Sequence, residues 1–320
     1  MNQKNILRET LHKHLILEFS SHPNTNEGWM FINNSRCVLL EKHGILPNID
    51  EYIRIATNYF IYNINQSKNG QQIILTKNIF SNIKNCFFKD VIITFNYIKT
   101  NNPSSINATT GFKDNTLVMK FEANGELYGL ENAFKSIFAH ELTHVYENYM
   151  RKKNNSIDIV TALRNDGYFL NNKWNDNVND GYDRISKIKY FLSKSEMNAY
   201  IASTREEILN NISDSTETVN DFIDIVENKS YTYNMFQKIG CMINKIINET
   251  NEQIKKETLN RWNNISKTQI TTYGALCRII RNKYRKRWET YISKISKLIY
   301  DIYEEKCCKM IFPSNNQVLK

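Results

Sequence analysis

Apolar side chains recur at every third or fourth position in the middle of the chain, the spacing that aligns them on one face of an α-helix. These positions are Phe134, Phe138, Leu142, Val145 and Tyr149. Neither glycine nor proline interrupts the sequence from Glu131 to Lys153. The pattern therefore predicts one continuous helix across that range.

Weaker patterns predict the elements around this central helix. Helical spacing marks Asn5–Phe19, Ile49–Tyr62 and almost all of the chain from Tyr200 to Tyr303. Short β-branched or aromatic runs predict strands at Ile73–Thr76, Val91–Asn96 and Thr116–Phe121. Together these elements predict an α+β protein with N-terminal helices, a small sheet and a largely helical C-terminal region.

Turn residues separate the predicted elements. Lys68–Gly70 predicts a turn, and Asn124-Gly125 predicts a hairpin between Leu117–Phe121 and Leu127–Tyr128. The range Asn154–Asp183 is rich in Asn, Asp and Gly, so we expect a long surface loop there.

The last predicted helix is amphipathic and strongly basic. Its apolar stripe comprises Cys277, Ile280, Tyr284, Trp288, Tyr291, Ile295, Leu298 and Ile302. Its cations are Arg278, Arg281, Lys283, Arg285, Lys286, Arg287, Lys294 and Lys297, opposed within that range by Glu289. The range Arg278–Lys297 is therefore either a bundle helix with a basic outer face or a surface for nucleic acid or another anionic partner.

Composition limits the class of protein. The chain has 320 residues, 41% of them hydrophobic, with a net charge of +9, which indicates a globular protein large enough for one or two domains. The six cysteines form no C-x-x-C pair, which favours reduced thiols. Met1–Ser20 lacks the apolar core of a signal peptide, and no apolar run approaches the ~20 residues of a membrane span. We expect a protein that is cytoplasmic, or packaged from the place where it is made, and has no membrane partner.

The central helix contains His140-Glu141-Leu142-Thr143-His144, a His-Glu-x-x-His motif. Histidines four residues apart lie on one helical face about one turn apart, so both imidazoles can bind one tetrahedral Zn²⁺. Glu141 then lies beside the metal, where it can take a proton from water. The alternative is two hydrogen-bonded histidines on a half-buried helix.

A second motif lies downstream, at Ser195-Glu196-Met197-Asn198-Ala199-Tyr200, and contains Glu-x-x-Ala. This pair of motifs resembles the gluzincin zinc metallopeptidases, particularly peptidases encoded by bacteria and their phages. The resemblance covers about Thr116 to Asn210. The metzincin continuation does not fit, because Glu147 and Met150 stand where that family has glycine and histidine.

The resemblance implies a zincin-like fold, with a small, mainly antiparallel sheet packed on the metal-site helices. It implies one Zn²⁺ per chain, held by His140, His144 and Glu196. Glu141 would be the general base of peptide hydrolysis, and Leu117–Phe121 a sheet edge on which extended substrate pairs. An oxyanion donor is also needed; the candidates by proximity to the second motif are Tyr200, Arg205 and Tyr190.

Two features depart from the family. The gap between His144 and Glu196 is long, and Tyr200 stands where many gluzincins have an aspartate that orients a zinc histidine. Glu196 also has another interpretation, because Ser193-x-x-Glu196 is a capping box. Glu147, Glu206 and Glu207 remain further candidates for the third ligand.

The sequence thus predicts N-terminal helices in residues 1–65, a zincin-like catalytic core in 66–210 and a helical region in 211–320. The first functional hypothesis is a zinc metalloendopeptidase acting on peptide or protein substrates. The second is a structural virion or nucleic-acid-associated protein that uses an inactive zincin scaffold and the basic helix.

Overall fold

The structure is a computed structural model that describes residues 46, 48–81, 91–113, 116–153, 181–193 and 196–311. Its elements in chain order are α1 (Ile49–Ile64), β1 (Gln72–Lys77), β2 (Ile92–Lys99), β3 (Ser105–Lys113), β4 (Thr116–Gly125), α2 (Leu130–Lys153), α3 (Gly181–Phe191), α4 (Glu196–Leu209), α5 (Val219–Lys229), α6 (Tyr231–Ile247), α7 (Glu252–Ser266) and α8 (Tyr273–Ile311). The predicted helix Asn5–Phe19 and residues 154–180 of the predicted loop lie outside the described residues. The loop prediction is wrong for its last three residues, because helix α3 begins at Gly181.

The four strands form one mixed sheet in the order β1-β2-β4-β3. β1 pairs antiparallel with β2, β2 pairs parallel with β4, and β4 pairs antiparallel with β3. Two of the three pairings are therefore antiparallel. This sheet, packed on α2 and followed by a largely helical region, confirms the predicted α+β fold class.

The predicted hairpin at Asn124-Gly125 is wrong. β4 ends at Gly125, Leu127 and Tyr128 lie in a bend and turn before α2, and the antiparallel partner of β4 is the upstream strand β3. Gly125 serves a different purpose, with φ +106 and backbone packed so closely that a Cβ atom would lie 2.6 Å from Ser104 Cα. Glycine is needed there because two chain segments approach each other.

The predicted edge role of Leu117–Phe121 is also wrong, because β4 lies between β2 and β3. In the described sheet the edge next to β4 is β3, which the sequence patterns did not predict. Ile106 and Ala108 of β3 pack against the hydrophobic core, while Asn107 and Thr109 are exposed. The strand therefore has one face on the core and one in solvent.

Aromatic packing fixes α2 on the sheet. Phe134 of α2 lies 5.5 Å from Phe95 and 5.3 Å from Phe121, and Phe138 lies 5.8 Å from Phe121, all between ring centroids. These side chains are fully buried. Truncating one such ring to alanine typically costs about 3–5 kcal/mol, so the contacts hold α2 in one orientation.

The apolar stripe predicted for the last helix is confirmed in α8. Six of its members are buried, namely Ile280, Trp288, Tyr291, Ile295, Leu298 and Ile302. Five cations are exposed, namely Arg278, Arg281, Lys283, Arg285 and Lys286. Arg287 and Lys294 instead turn inward, donating to the Leu192 carbonyl and the Asn198 side chain. No helix in the described ranges is both long and apolar enough to cross a membrane.

The close approach at Gly125 makes a stability prediction. Gly125→Ala should lower the free energy of unfolding by about 3 kcal/mol, because the alanine adds both positive-φ strain and a clash with Ser104. Gly70→Ala is the matched control, since Gly70 has φ +78 but no atom within 4 Å of the position that a Cβ would take. It should cost only about 1–2 kcal/mol. Urea unfolding of the metal-free variants measures both, and equal losses would contradict the close-approach explanation.

Candidate metal centre

His140 and His144 meet on the face of α2 turned away from the phenylalanine cluster. Their Nε2 atoms lie 3.1 Å apart, and the ring centroids are 4.8 Å apart. His144 is buried and His140 is half-buried. The helix thus presents the two imidazoles to a common point, as the spacing predicted.

Glu196 completes the group from the first turn of α4. Its Oε2 lies 3.1 Å from His140 Nε2, and its Oε1 lies 3.4 Å from His144 Nε2. These three side chains form a buried group that can hold a metal ion. The carboxylate faces the histidines, which favours the ligand interpretation of Glu196 over the capping interpretation.

The other glutamates considered as third ligand have different partners. Glu147 accepts a hydrogen bond from Asn198 at 2.6 Å. Glu206 pairs with Arg205 at 2.6 Å, and Glu207 accepts from Ser136 at 3.0 Å. Among the described residues, only Glu196 joins the two histidines.

The contacts among the three side chains are close to the ligand spacing of a small tetrahedral ion. Ligands bonded at about 2.0–2.1 Å to a tetrahedral centre are separated from one another by about 3.3–3.4 Å. The two histidine Nε2 atoms lie 3.1 Å apart, while Glu196 Oε2 lies 3.1 Å from His140 Nε2 and the other oxygen, Oε1, lies 3.4 Å from His144 Nε2. With one ligand atom taken from each residue, all three atoms lie within 4.8 Å of one another. No hydrogen bond from the described residues reaches the buried Oε1 of Glu196, which leaves a lone pair for a cation.

The electrostatics of the group show what the metal would replace. Burial acts to lower the pKa of His144, but Glu196 outweighs it and the pKa rises to about 9. Burial acts to raise the pKa of Glu196, but the charge on His144 outweighs it and the pKa falls to about 2. Without metal, a proton on His144 therefore compensates the buried carboxylate at neutral pH.

Glu141 lies beside the group with its carboxylate fixed from the sheet. The Thr110 hydroxyl on β3 donates to Glu141 Oε2 at 2.5 Å. Glu141 is buried and close enough to His144 to contribute to its raised pKa. No sequence pattern marks Thr110, because β3 carries no strong strand pattern.

His140 has the hydroxyl of Ser203 behind its ring. Ser203 Oγ lies 3.5 Å from His140 Nδ1, a long contact, and donates to the Ser136 carbonyl at 3.1 Å. Ser203 stands seven residues after Glu196, two turns along the same face of α4, a spacing from which it could have been found. Tyr200 does not replace the expected aspartate; its ring lies 5.4 Å from the His140 ring.

The three candidate oxyanion donors are placed differently. Tyr190 is half-buried, and burial together with the carboxylates of Glu196 and Glu141 raises its pKa well above the usual value. Tyr200 is buried, and its hydroxyl has no hydrogen-bond partner among the described residues. Arg205 is engaged elsewhere, with its two terminal nitrogens 2.6 and 3.0 Å from the Asp50 carboxylate. Of the three, Tyr190 is the one next to both site carboxylates and partly open to solvent.

The raised pKa of His144 predicts that metal binding releases a proton. Below pH 9 the metal-free protein carries that proton, which must leave before His144 can bind an ion. The apparent Zn²⁺ affinity should rise about tenfold per pH unit from pH 7 towards 9 and then level off. Calorimetric titration in buffers of different ionisation enthalpy should count about one proton released at pH 7.5.

The same pKa shift predicts how the stability of the metal-free protein changes with pH. A folded-state pKa of about 9 against an ordinary 6.5 stabilises the fold fully below pH 6.5, and this stabilisation is lost as the pH rises through 9. The unfolding free energy of the metal-free protein should therefore fall across that window. A flat Zn²⁺ affinity with no proton release would contradict the His144–Glu196 ion pair.

Comparison with protein-family models, with curated proteins and with solved structures finds no match to this chain. What the centre can do therefore follows from its own side chains: two imidazoles and a buried carboxylate that can hold one metal ion, with a second carboxylate beside them.

Proposed function

We propose that the chain is a zinc-dependent metallopeptidase of the gluzincin type. The observation that carries the proposal is the convergence of His140, His144 and Glu196 within 3.4 Å, with Glu141 on the adjacent position of the same helix. Two neutral imidazoles and one carboxylate leave a tetrahedral ion one open position, as in catalytic rather than structural zinc sites. When bound, zinc would polarise the scissile carbonyl and make water a stronger acid.

Glu141 acts as the general base and then as the general acid. Its carboxylate takes a proton from the attacking water and delivers it to the leaving amine, so it ends the cycle unchanged. The hydrogen bond from Thr110 occupies Oε2 of Glu141. That contact fixes the plane of the carboxylate and leaves Oε1 as the oxygen that exchanges the proton.

Tyr190 is the proposed donor to the oxyanion. A phenol is protonated at neutral pH and the pKa of Tyr190 is raised further, so the hydroxyl can donate when negative charge develops on the carbonyl oxygen. Tyr200, the candidate favoured by its place in the second motif, is buried against His140 and Phe236. We therefore assign Tyr200 to packing behind the ligand.

The peptide would pair with the outer edge of β3. This strand carries Thr110, which contacts Glu141, so the edge of β3 lies next to the base. An extended peptide added to that edge would gain main-chain hydrogen bonds without using particular side chains. A peptide bound in this way would have to be an unfolded or extended segment of the substrate.

Two variants test the chemistry in the metal-loaded protein. Glu141→Gln should keep the metal and lower peptide hydrolysis by about 10²–10⁴-fold, because the amide cannot accept the proton. Tyr190→Phe should lower kcat by about 10²–10³-fold with little change in KM, because the donor acts on the transition state. A mixture of synthetic peptides covering all residue pairs at the central bond, followed by mass spectrometry, measures cleavage.

Tyr200→Phe is the matched control, since it removes a hydroxyl of the same kind from the neighbouring buried position. It should leave kcat within a few fold. Metal-loaded wild-type protein that cleaves none of the peptides would count against the peptidase. A loss of kcat in Tyr200→Phe but not in Tyr190→Phe would make Tyr200, and not Tyr190, the oxyanion donor.

A second candidate function rests on the basic face of α8. We propose that Arg278, Arg281, Arg285 and Lys286, all exposed, contact an anionic polymer such as nucleic acid. The nearest acid on this face, Glu289, lies 3.9 Å from Arg285, a distance that provides little neutralisation. This role would suit a nucleic-acid-associated or virion protein and does not need an active metal centre.

Salt dependence tests this second function. Binding to double-stranded DNA should weaken steeply between 50 and 200 mM salt, and Arg281→Gln with Arg285→Gln should reduce the logarithmic salt slope by about 2. Lys238→Gln, on exposed α6 surface, is the control. If the double variant bound DNA as tightly as the wild type at each salt concentration, the proposal would be wrong.

A further inference from the structure

Three side chains from three helices form a continuous chain beside the metal centre. Lys294 Nζ of α8 donates to Asn198 Oδ1 of α4 at 2.6 Å. Asn198 Nδ2 in turn donates to Glu147 Oε1 of α2 at 2.6 Å. All three residues are half-buried, so solvent screens these bonds less than it would on the surface.

The order of charges gives the chain a direction. A side-chain amide accepts through oxygen and donates through nitrogen, and here the oxygen faces a cation and the nitrogen an anion. Both bonds are charge-assisted, and the amide can satisfy both partners in only one orientation. The positions of Lys294 and Glu147 therefore fix the plane of Asn198.

The chain lies on the helical turns that carry two of the three ligands. Asn198 is two residues after Glu196 at the start of α4, and Glu147 is three residues after His144 on α2. A contact joining Asn198 to Glu147 thus sets the separation between the turn that bears Glu196 and the turn that bears His144.

Metal ligation depends strongly on such a separation, because ligand atoms displaced by a few tenths of an ångström lose bond strength. Side chains that orient ligands typically change metal affinity by about 10–100-fold when they are removed. By contrast, a hydrogen-bonded chain that only fastened α8 to the fold would change stability and leave affinity unaltered.

We propose that Lys294, Asn198 and Glu147 are positioning residues of the metal centre, so that helix α8 helps to set the geometry of His144 and Glu196. The proposal rests on the metal-binding part of the proposed function and not on peptide hydrolysis. It assigns Lys294 a role inside the molecule, although the sequence places it among the cations of the basic helix.

The test compares the Zn²⁺ affinity of purified full-length variants by competition with a chromophoric chelator. Lys294→Met removes the charge while keeping the length of the side chain, and it should weaken Zn²⁺ binding by about 10–100-fold. Lys294→Arg should retain most of the affinity, because it can still donate to Asn198. Lys238→Met, at an exposed lysine of α6, is the control and should bind Zn²⁺ like the wild type.

Two further measurements separate positioning from a purely structural role. The visible spectrum of the Co²⁺-substituted protein reports ligand geometry directly and should shift in Lys294→Met but not in Lys238→Met. Glu147→Leu, whose side chain cannot accept from Asn198, should weaken binding similarly. Adding Lys294→Met to it should weaken binding no further, because both break the same chain. Glu147→Leu also keeps the test decisive if Lys294→Met fails to fold.

The outcomes are distinct. A Lys294→Met protein with a lower unfolding midpoint but unchanged Zn²⁺ affinity and Co²⁺ spectrum overturns the proposal, since the chain is then only structural. Additive losses in the double variant also overturn it. Wild-type protein that binds no metal removes this proposal and the peptidase together. Wild-type protein that binds metal with the expected variant pattern but cleaves no peptide supports the positioning role and removes only the peptidase.

Discussion

The carboxylate of Glu196 is fully buried, and this burial constrains the metal centre and the helices around it. An isolated ionised group in a protein interior costs several kcal/mol, so a carboxylate with no exposed surface needs a positive partner. The two imidazoles, whose Nε2 atoms lie within 3.4 Å of this carboxylate, can supply the positive charge in only two ways. One of them takes up a proton, or both share a bound cation with Glu196. The site is therefore a choice between a proton and a metal ion, and a metal satisfies all three side chains at once.

This choice constrains the helices around it. The phenylalanine cluster of α2 fixes that helix on the sheet, so His140 and His144 face α4 and cannot rotate towards solvent. α4 in turn is tied to α1 through the bidentate contact of Arg205 with Asp50. The apolar core thus holds one side of α2 rigidly, and this rigidity keeps His140 and His144 in place on the other side.

Local patterns predicted the parts of the site that lie within single helices. The resemblance of the motif around Glu196 to the gluzincins predicted that Glu196 belongs to the same group. The spacing of His140 and His144 predicted a shared face, because helical periodicity converts sequence distance directly into direction. The apolar stripe of α8 succeeded for the same reason.

The patterns failed where distant segments decide the outcome. Asn124-Gly125 carries the signal of a hairpin, but Gly125 is a glycine because the backbone of Ser104 passes too close for a side chain. The strand β3 gave little signal, because residues such as Asn107, Thr109 and Thr110 alternate only weakly in polarity. Its position at the sheet edge, and with it the hydroxyl that holds Glu141, depends on pairing with β4.

The cations of α8 show the same limit of local sequence patterns. Sequence counts Lys294 with Arg285 as one basic face, yet Lys294 points to Asn198 while Arg285 is exposed. The direction is set by packing: one continuous core contains Phe134 of α2, Tyr200 of α4 and Tyr291 of α8, so α8 lies against the ligand-bearing helices. A division of the chain near residue 210 would separate side chains that share this core. Thr110 on the sheet donates to Glu141, and Lys294 on α8 reaches Glu147 on α2 through Asn198 on α4, so side chains around the centre come from the sheet and from the C-terminal helix alike.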